Sequence, residues 1–255
     1  MQQYFAKDEN LTLYDSDYHH IKNVMRMKCG DLIKVVFDKT IYLCKIKEIT
    51  SKVDFEIIKK EKKISNNKYI ILAFALLKEQ KLDYLIQKAT EVGVSEFIPL
   101  ITDRSIIKIS VNKDIKKFER WNKIVKEASE QSSRIDVPKV NSIISLKELI
   151  NYDADLKIIF TLNEKTKNIK KILEKNNKCD KILIVIGPEG GFNKEEEEIL
   201  IKNGFLPCRM GDNVLRSETA PIVAISMINY EFMRWLLWKK CLHKYLTRLV
   251  IFMII

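Results

Sequence analysis

ILIVIGPEGGF, from Ile182 to Phe192, is a five-residue apolar run that empties into a glycine-rich turn. A short apolar run bounded by a turn signal reads as a fully buried strand. Working outward, similar runs recur at Tyr69–Leu76 (YIILAFAL), Val94–Ile101 (VSEFIPLI) and Leu156–Leu162 (LKIIFTL). Helical patterns separate them. Leu82, Leu85, Ile86 and Ala89 mark one face of a helix that Gly93 stops, a second helix spans about Asp114 to Gln131, and a third lies near Thr166 to Lys175. Apolar strands alternating with helices predict an α/β domain whose mostly parallel sheet is covered on both faces. After the turn, Asn193 is placed to cap a helix, and Glu196, three residues on, to complete a capping box. The run Glu195–Glu198 then has a structural explanation as first-turn charge and is given no catalytic role.

The turn itself carries the chemistry. Gly187, Gly190 and Gly191 let the main chain bend tightly and approach a ligand closely, while Pro188 restricts one step. GPEGGF is neither the GxGxxG dinucleotide fingerprint nor a P-loop, since no Gly-Lys-Ser/Thr follows. The choices are a backbone-lined cofactor site or a plain turn. A second glycine-containing stretch, MGDNVLRSETA from Met210 to Ala220, adds reactive side chains. Arg216 and Glu218 lie two residues apart where a helix opens that runs on through Ala224 and Met227. An arginine there can stabilise developing negative charge and a carboxylate can orient a base or take a proton. The plainer reading is an ion pair at a helix start.

The net charge of +11 points to a polyanionic partner, because a basic surface strengthens binding to a phosphate backbone. The excess is uneven: +4 in residues 1–68, +3 in 69–230 and +4 in 231–255. Residues 1–68 read as a small barrel of about five strands, with Ile33–Phe37, Ile41–Ile49 and Val53–Ile58 as β-rich pieces and a short helix over His19–Asp31 before them. The polar Lys59–Lys68 stretch serves as the domain boundary, which leaves 69–230 as the α/β domain. Residues 231–255 interleave Trp235, Leu236, Leu237 and Trp238 with Arg234, Lys239, Lys240, Lys244 and Arg248, an amphipathic cationic extension expected to pack on a second copy, the alternative being a loosely ordered extension without a function. Five isolated cysteines (Cys29, Cys44, Cys179, Cys208, Cys241) form no CxxC pair and are expected to be buried small hydrophobes. No metal set, signal peptide or membrane span is predicted, and a reducing cytoplasm is the expected compartment.

Three ordered motifs, His20–Asp31 (HIKNVMRMKCGD), GPEGG and LRSETA, closely resemble bacterial 16S (small-subunit) ribosomal RNA methyltransferases of the SPOUT superfamily that modify N3 of a uridine. Lys81–Ser105 and Trp121–Arg134 also look like that family, and the resemblance covers about residues 1–230. It implies a PUA-like β-barrel domain, then a SPOUT α/β domain with a C-terminal trefoil knot, S-adenosylmethionine as methyl donor, and a homodimer acting on 16S rRNA or the small subunit, without DNA as a partner or stable membrane insertion. Default topology rules would exclude a knot, so only the resemblance brings it in. By resemblance the cofactor is held by Ile186, Gly187, Gly190 and Gly191 in one loop and by Met210, Gly211, Val214 and Leu215 in the other, with Thr219 at the edge. The chain departs from the family in Met25 and Met210, where leucine is usual, and in Asn213, often an arginine.

Uracil N3 is weakly nucleophilic until its proton leaves. Arg216 is therefore expected to stabilise the anion, while Glu189 or Glu218 accepts the proton or orients the base. Arg26 and Lys28 are expected to grip RNA phosphates, with Arg104 and Arg134 as secondary candidates. Two alternatives stay open: another target position such as a 2′-hydroxyl, or a non-catalytic RNA-binding module.

Overall fold

The computed structural model describes residues 1–63, 68–104, 111–161 and 166–233. The elements in chain order begin with β1 (Gln3–Phe5), α1 (Asp15–His19), a π-helical turn (His20–Val24), β2 (Leu32–Phe37), β3 (Thr40–Ile49) and β4 (Val53–Lys62). Then come β5 (Tyr69–Ala75), α2 (Glu79–Glu91), β6 (Glu96–Ile101), α3 (Val111–Gln131), β7 (Lys139–Val140), β8 (Ile144–Ser145) and α4 (Leu146–Leu149). The chain continues with β9 (Leu156–Phe160), β10 (Lys167–Asn168), α5 (Ile169–Lys175), β11 (Lys181–Ile186), α6 (Lys194–Lys202), β12 (Leu206–Arg209) and a helix over residues 220–233. Contacts divide it into two units, Met1–Asn66 with Glu119–Pro138, and Asn67–Phe118 with Lys139–Ile255. The sequence boundary at residue 68 had left 119–138 within the second domain's span.

In the first unit the strands form one sheet in the order β1-β2-β3-β4, so among the described residues it holds four strands rather than about five. Asp38 and Lys39 both have positive φ (43° and 57°), the backbone that a two-residue hairpin turn requires, and Phe37 pairs with Thr40 across it. β4 runs on to Lys62, so Lys59–Lys62 of the expected boundary stretch are strand. Residues 64–67 lie outside the described residues, and the division between the units falls at Asn66/Asn67, within that stretch. The β4 residues from Glu56 onward are all exposed, and without a buried face there is no apolar alternation to reveal a strand. The helix expected over His19–Asp31 is also displaced. Helical turns occupy 15–24 instead, Arg26 (φ 51°) and Gly30 (φ 97°) turn the chain, and Val24 is exposed. The core gathers Tyr4, Leu11, Ile21, Ile33, Val35, Cys44 and Ile46. α3 contributes Lys126, whose ammonium lies 2.5 Å from Asp17 and 2.7 Å from Glu130. Burial would lower the Lys126 pKa, but hydrogen bonds to the two carboxylates outweigh it and hold it above the usual value.

The second unit is a parallel sheet in the order β10-β12-β9-β11-β5-β6-β7, with β8 also on β6. Ile70–Ala75 of β5 and Ile182–Ile186 of β11 are buried throughout, so both faces are covered as expected. α2 buries Leu82, Leu85, Ile86 and Ala89. It ends at Gly93 (φ 104°), where Asn229 from the 220–233 helix donates a 2.6 Å hydrogen bond to the Val92 carbonyl. The 220–233 helix buries Ala220, Ala224, Ile225, Ile228 and Phe232. Asn193 and Glu196 form the expected capping box, and Glu196 also accepts the Asp103 N–H at 2.9 Å. β12 escapes sequence reading because it is short and contains Pro207, and β7, β8 and β10 are only two residues each. Among the described residues no helix is long and apolar enough to cross a membrane, and no His/Cys/Asp/Glu group is placed to hold a metal. Burial raises the Cys44 thiol to about 11 and the Cys208 thiol to about 12, whereas Cys29 is exposed, against expectation. Cys241 and the 234–255 part of the extension lie outside the described residues.

Candidate functional site

Because β9, β11 and β12 are parallel neighbours, the segments that follow them leave the sheet at the same end. Ligands in open α/β sheets bind at that carboxyl end. There the loops after β11 and β12 enclose a cavity of about 1050 Å³. Ile186, Gly187, Gly190 and Gly191 line it from one loop, and Met210, Gly211, Val214 and Leu215 from the other. Glu189, Arg216, Glu218 and Arg104 reach its wall as well. The two glycine turns, Gly187–Gly191 and the segment from Met210 to Leu215, distant in sequence, thus form one site. Thr219 is not on the wall; its N–H closes the turn onto the Arg216 carbonyl at 2.9 Å.

The glycines differ in what they do. Gly191 takes φ +67°, which side chains resist, and its N–H donates to the Pro188 carbonyl at 2.9 Å. A Cβ on Gly187 would sit 3.0 Å from the Phe192 ring, so that position is fixed by packing. Gly190 is held from outside: Arg104 Nη1 donates to its carbonyl oxygen at 2.7 Å. In the second loop the main-chain N–H groups of Gly211 to Arg216 bond to no other described main chain. Main-chain N–H groups without a main-chain acceptor are potential donors to a ligand.

The charged rim is a quartet. Lys81, near the start of α2, hydrogen-bonds Glu189 and lies 3.8 Å from Glu218. The hydrogen bond and charge of Lys81 hold the Glu189 carboxyl below its usual value, and the same bond raises Lys81. The Glu189 side chain is 39% exposed and that of Glu218 only 13%, with Ser217 Oγ donating to Glu218 at 3.2 Å. Arg216 is exposed, near enough to act on the Lys81 charge, and no hydrogen bond or ion pair among the described residues holds it. Across the cavity Thr161 donates to Glu197 at 2.9 Å, and Arg209 pairs with Asp212 at 3.3 Å.

Sequence reasoning missed Lys81, Phe160, Thr161 and Glu197. A lysine at a helix start reads as a solvated residue, and Glu197 was absorbed into the first-turn acidic run. Only the neighbouring strand ends give either a partner. Of the predicted RNA contacts, Arg26 and Lys28 are exposed in the first unit. Arg134 is committed internally: its guanidinium pairs with Asp136 at 3.2 Å and its side chain is 12% exposed.

Residues 65–229 match the family described as RNA methyltransferase domain, and residues 13–58 the RNA methyltransferase PUA domain. Ribosomal RNA small subunit methyltransferase E of Bacillus subtilis (strain 168) is 35% identical over 250 residues, covering 91% of this chain and 97% of that protein. Its counterpart in Mesomycoplasma hyopneumoniae (strain 232) is 34% identical, covering 88% and 94%. Among solved structures, a ribosomal RNA small subunit methyltransferase E from Neisseria gonorrhoeae bound to S-adenosyl methionine superposes with a TM-score of 0.81 at 26% identity, covering 89% and 96%. A Legionella pneumophila methyltransferase in complex with bound SAM gives 0.82 at 28% identity, with the same coverage.

Proposed function

The chain belongs to the ribosomal RNA small subunit methyltransferase E family, and on that premise we propose that it transfers a methyl group from S-adenosylmethionine to N3 of a uridine in 16S rRNA. The fold is the family's, a PUA-like domain followed by a SPOUT-type α/β domain with its C-terminal trefoil knot. The observation that carries the proposal is the joining of the two glycine turns into one cavity with the exposed Arg216 on its rim.

The residues present fit the cofactor. Ile186, Phe160 and Leu215 offer apolar surface for a base, and the open N–H groups of Gly211 to Arg216 suit its oxygens. The carboxylates of Glu197 and Asp212 on the same wall suit hydroxyl and ammonium groups. About 1050 Å³ lies at the upper end of small-molecule sites (~300–1,000 Å³), which leaves room for a nucleobase beside the cofactor. When bound, S-adenosylmethionine supplies an electrophilic methyl group on a sulfonium.

The protein's part is positioning and charge. Arg216 stabilises the negative charge that spreads onto the uracil carbonyls as N3 loses its proton. The glycine turns fix the donor, so the reacting atoms meet without a further entropic cost. Arg26 and Lys28, exposed on the PUA-like domain, contact RNA phosphates. The protein works as a homodimer. Two exposed side chains on the 220–233 helix, Tyr230 (69%) and Met233 (60%), three residues apart, are available to such a contact.

The test is methyl transfer to small-subunit RNA followed by nucleoside analysis. N3-methyluridine is the expected product. A 2′-O-methyl nucleoside, or RNA binding without transfer, would overturn it.

A further inference from the structure

Of the four carboxylates that line the cavity, Glu197 accepts from Thr161 and Asp212 pairs with Arg209. That leaves Glu189 and Glu218, beside Lys81, as candidates for the one proton acceptor the reaction needs. They are not equivalent. Glu189 sits in the tightest part of the glycine turn, between the buried Pro188 and Gly190, and its carboxylate is hydrogen-bonded to the Lys81 ammonium. A carboxylate already bound to a cation is a poor base, because taking a proton would break that pair. Glu218 stands 3.8 Å from the same ammonium, beyond hydrogen-bond reach, and is three times less exposed. It is two residues from Arg216, on the same helix-opening turn.

Resting on the uridine-N3 transfer proposed above, we infer that Lys81 divides the labour between these carboxylates: it ties Glu189 to α2 as a strut of the glycine turn and leaves Glu218 to take the N3 proton. Lys81 is thus a positioning residue, and Glu218 the catalytic base. The Lys81 ammonium also offsets the repulsion between the two carboxylates, since both act on its charge. The step closes in atoms and electrons. The N3–H proton passes to a Glu218 carboxylate oxygen, and the nitrogen lone pair forms the bond to the methyl carbon. The carbon–sulfur bond breaks with its electron pair kept by sulfur. The products are N3-methyluridine, the neutral thioether and a protonated Glu218, which returns its proton to water.

The arrangement also explains why Glu189 is tolerated inside a turn built for close approach. A strut anchored through an ion pair to a neighbouring helix limits how far the Pro188–Gly190 main chain can open, which a hydrophobic side chain pointing to solvent would not do. Arg104 holds the next residue's carbonyl from the other side. The turn is therefore clamped by two cations, one on its side chain and one on its main chain.

The experiment compares Glu218→Gln, Glu189→Gln, Lys81→Met and Lys81→Arg by cofactor calorimetry and by the pH dependence of kcat. Glu218→Gln should lower kcat by about 10²–10⁴ and abolish the acid limb of the pH–kcat profile, with cofactor affinity unchanged. Glu189→Gln and Lys81→Met should each weaken cofactor binding roughly tenfold, keep the acid limb, and be no worse combined than alone. Lys81→Arg should restore the affinity. If the acid limb survives in Glu218→Gln or vanishes in Glu189→Gln, the division of labour is wrong. Unaltered cofactor affinity in Lys81→Met would reject the strut. The Gln variants are near-isosteric and calorimetry needs no turnover, so misfolding is separable from lost chemistry. Wild-type protein that makes no N3-methyluridine sinks the functional proposal with this one, whereas wild type that makes it beside a Glu218→Gln variant with an intact limb sinks this one alone.

Discussion

Arg104 Nη1 lies 2.7 Å from the carbonyl oxygen of Gly190, so an arginine that sequence reasoning assigned to RNA is tied to the glycine turn. A hydrogen bond from a charged donor contributes about 1.5–3 kcal/mol when desolvated, and this one is exposed, so the lower end applies. Arg104→Ala is expected to weaken S-adenosylmethionine binding by roughly tenfold in calorimetry. Unchanged affinity would leave the contact without consequence for the cofactor.

Arg216 has no partner among the described residues to hold it away from the substrate. Arg216→Ala should cost about 10²–10³ in kcat, the usual loss for one charge-stabilising donor, with cofactor affinity intact. Labelled methyl incorporation into small-subunit RNA measures it. Full turnover in a folded, cofactor-binding variant would remove Arg216 from the chemistry.

The glycine turn tolerates substitution unevenly. Gly191→Ala forces a Cβ into φ +67°, at about 1–2 kcal/mol, and Gly187→Ala drives one to 3.0 Å from the Phe192 ring. Gly211→Ala meets nothing within 4 Å. Thermal melting should therefore fall by several degrees for the first two and stay within about a degree for the third. Equal losses at all three would contradict the geometry.

Glu96 is buried at the start of β6, where Tyr152, Asn141 (2.6 Å) and Tyr69 (2.9 Å) donate to it. Burial alone would raise its pKa, but these hydrogen bonds outweigh burial and hold it below 4.5. A depressed carboxyl contributes stability that is present above the unfolded value and is lost as pH falls through the folded one. Glu96→Gln should lower Tm at neutral pH, and the gap to wild type should narrow below about pH 4.5. A gap that stays constant on acidification would refute the assignment.

Arg26 is exposed and held in a left-handed turn (φ 51°). As a phosphate contact its loss should weaken RNA binding across sequences and flatten the logarithmic salt dependence by about 0.7–0.9. Filter binding over a salt series gives the slope.

The second unit was largely legible from sequence because its strands are buried on both faces. Runs such as Ile182–Ile186 can be nothing but interior, and the 3.6-residue spacing of Leu82, Leu85, Ile86 and Ala89 has one reading. The first unit was less legible. β4 has no buried face beyond Phe55, so its outer half looked like linker, and the π-helical turn displaced the expected helix. Likewise Glu197 and Lys81 carry no local signature, since each is an ordinary helix-surface charge until another element meets it.

What the sequence determined by itself was local: which stretches are strand or helix, that Asn193 and Glu196 cap one, that Gly191 must turn, and, through its motifs, the family. Tertiary structure alone decided which charges meet. Parallel pairing of β9 with both β11 and β12 brings loops distant in sequence to one end of the sheet. The parallel pairing of β11 with β5 sets the start of α2 beside the glycine turn, where the Lys81 ammonium meets Glu189 and Glu218. In the first unit Arg134 pairs with Asp136 by a separate local contact. Ion pairs act through space over a few ångströms, and chain position does not encode that separation.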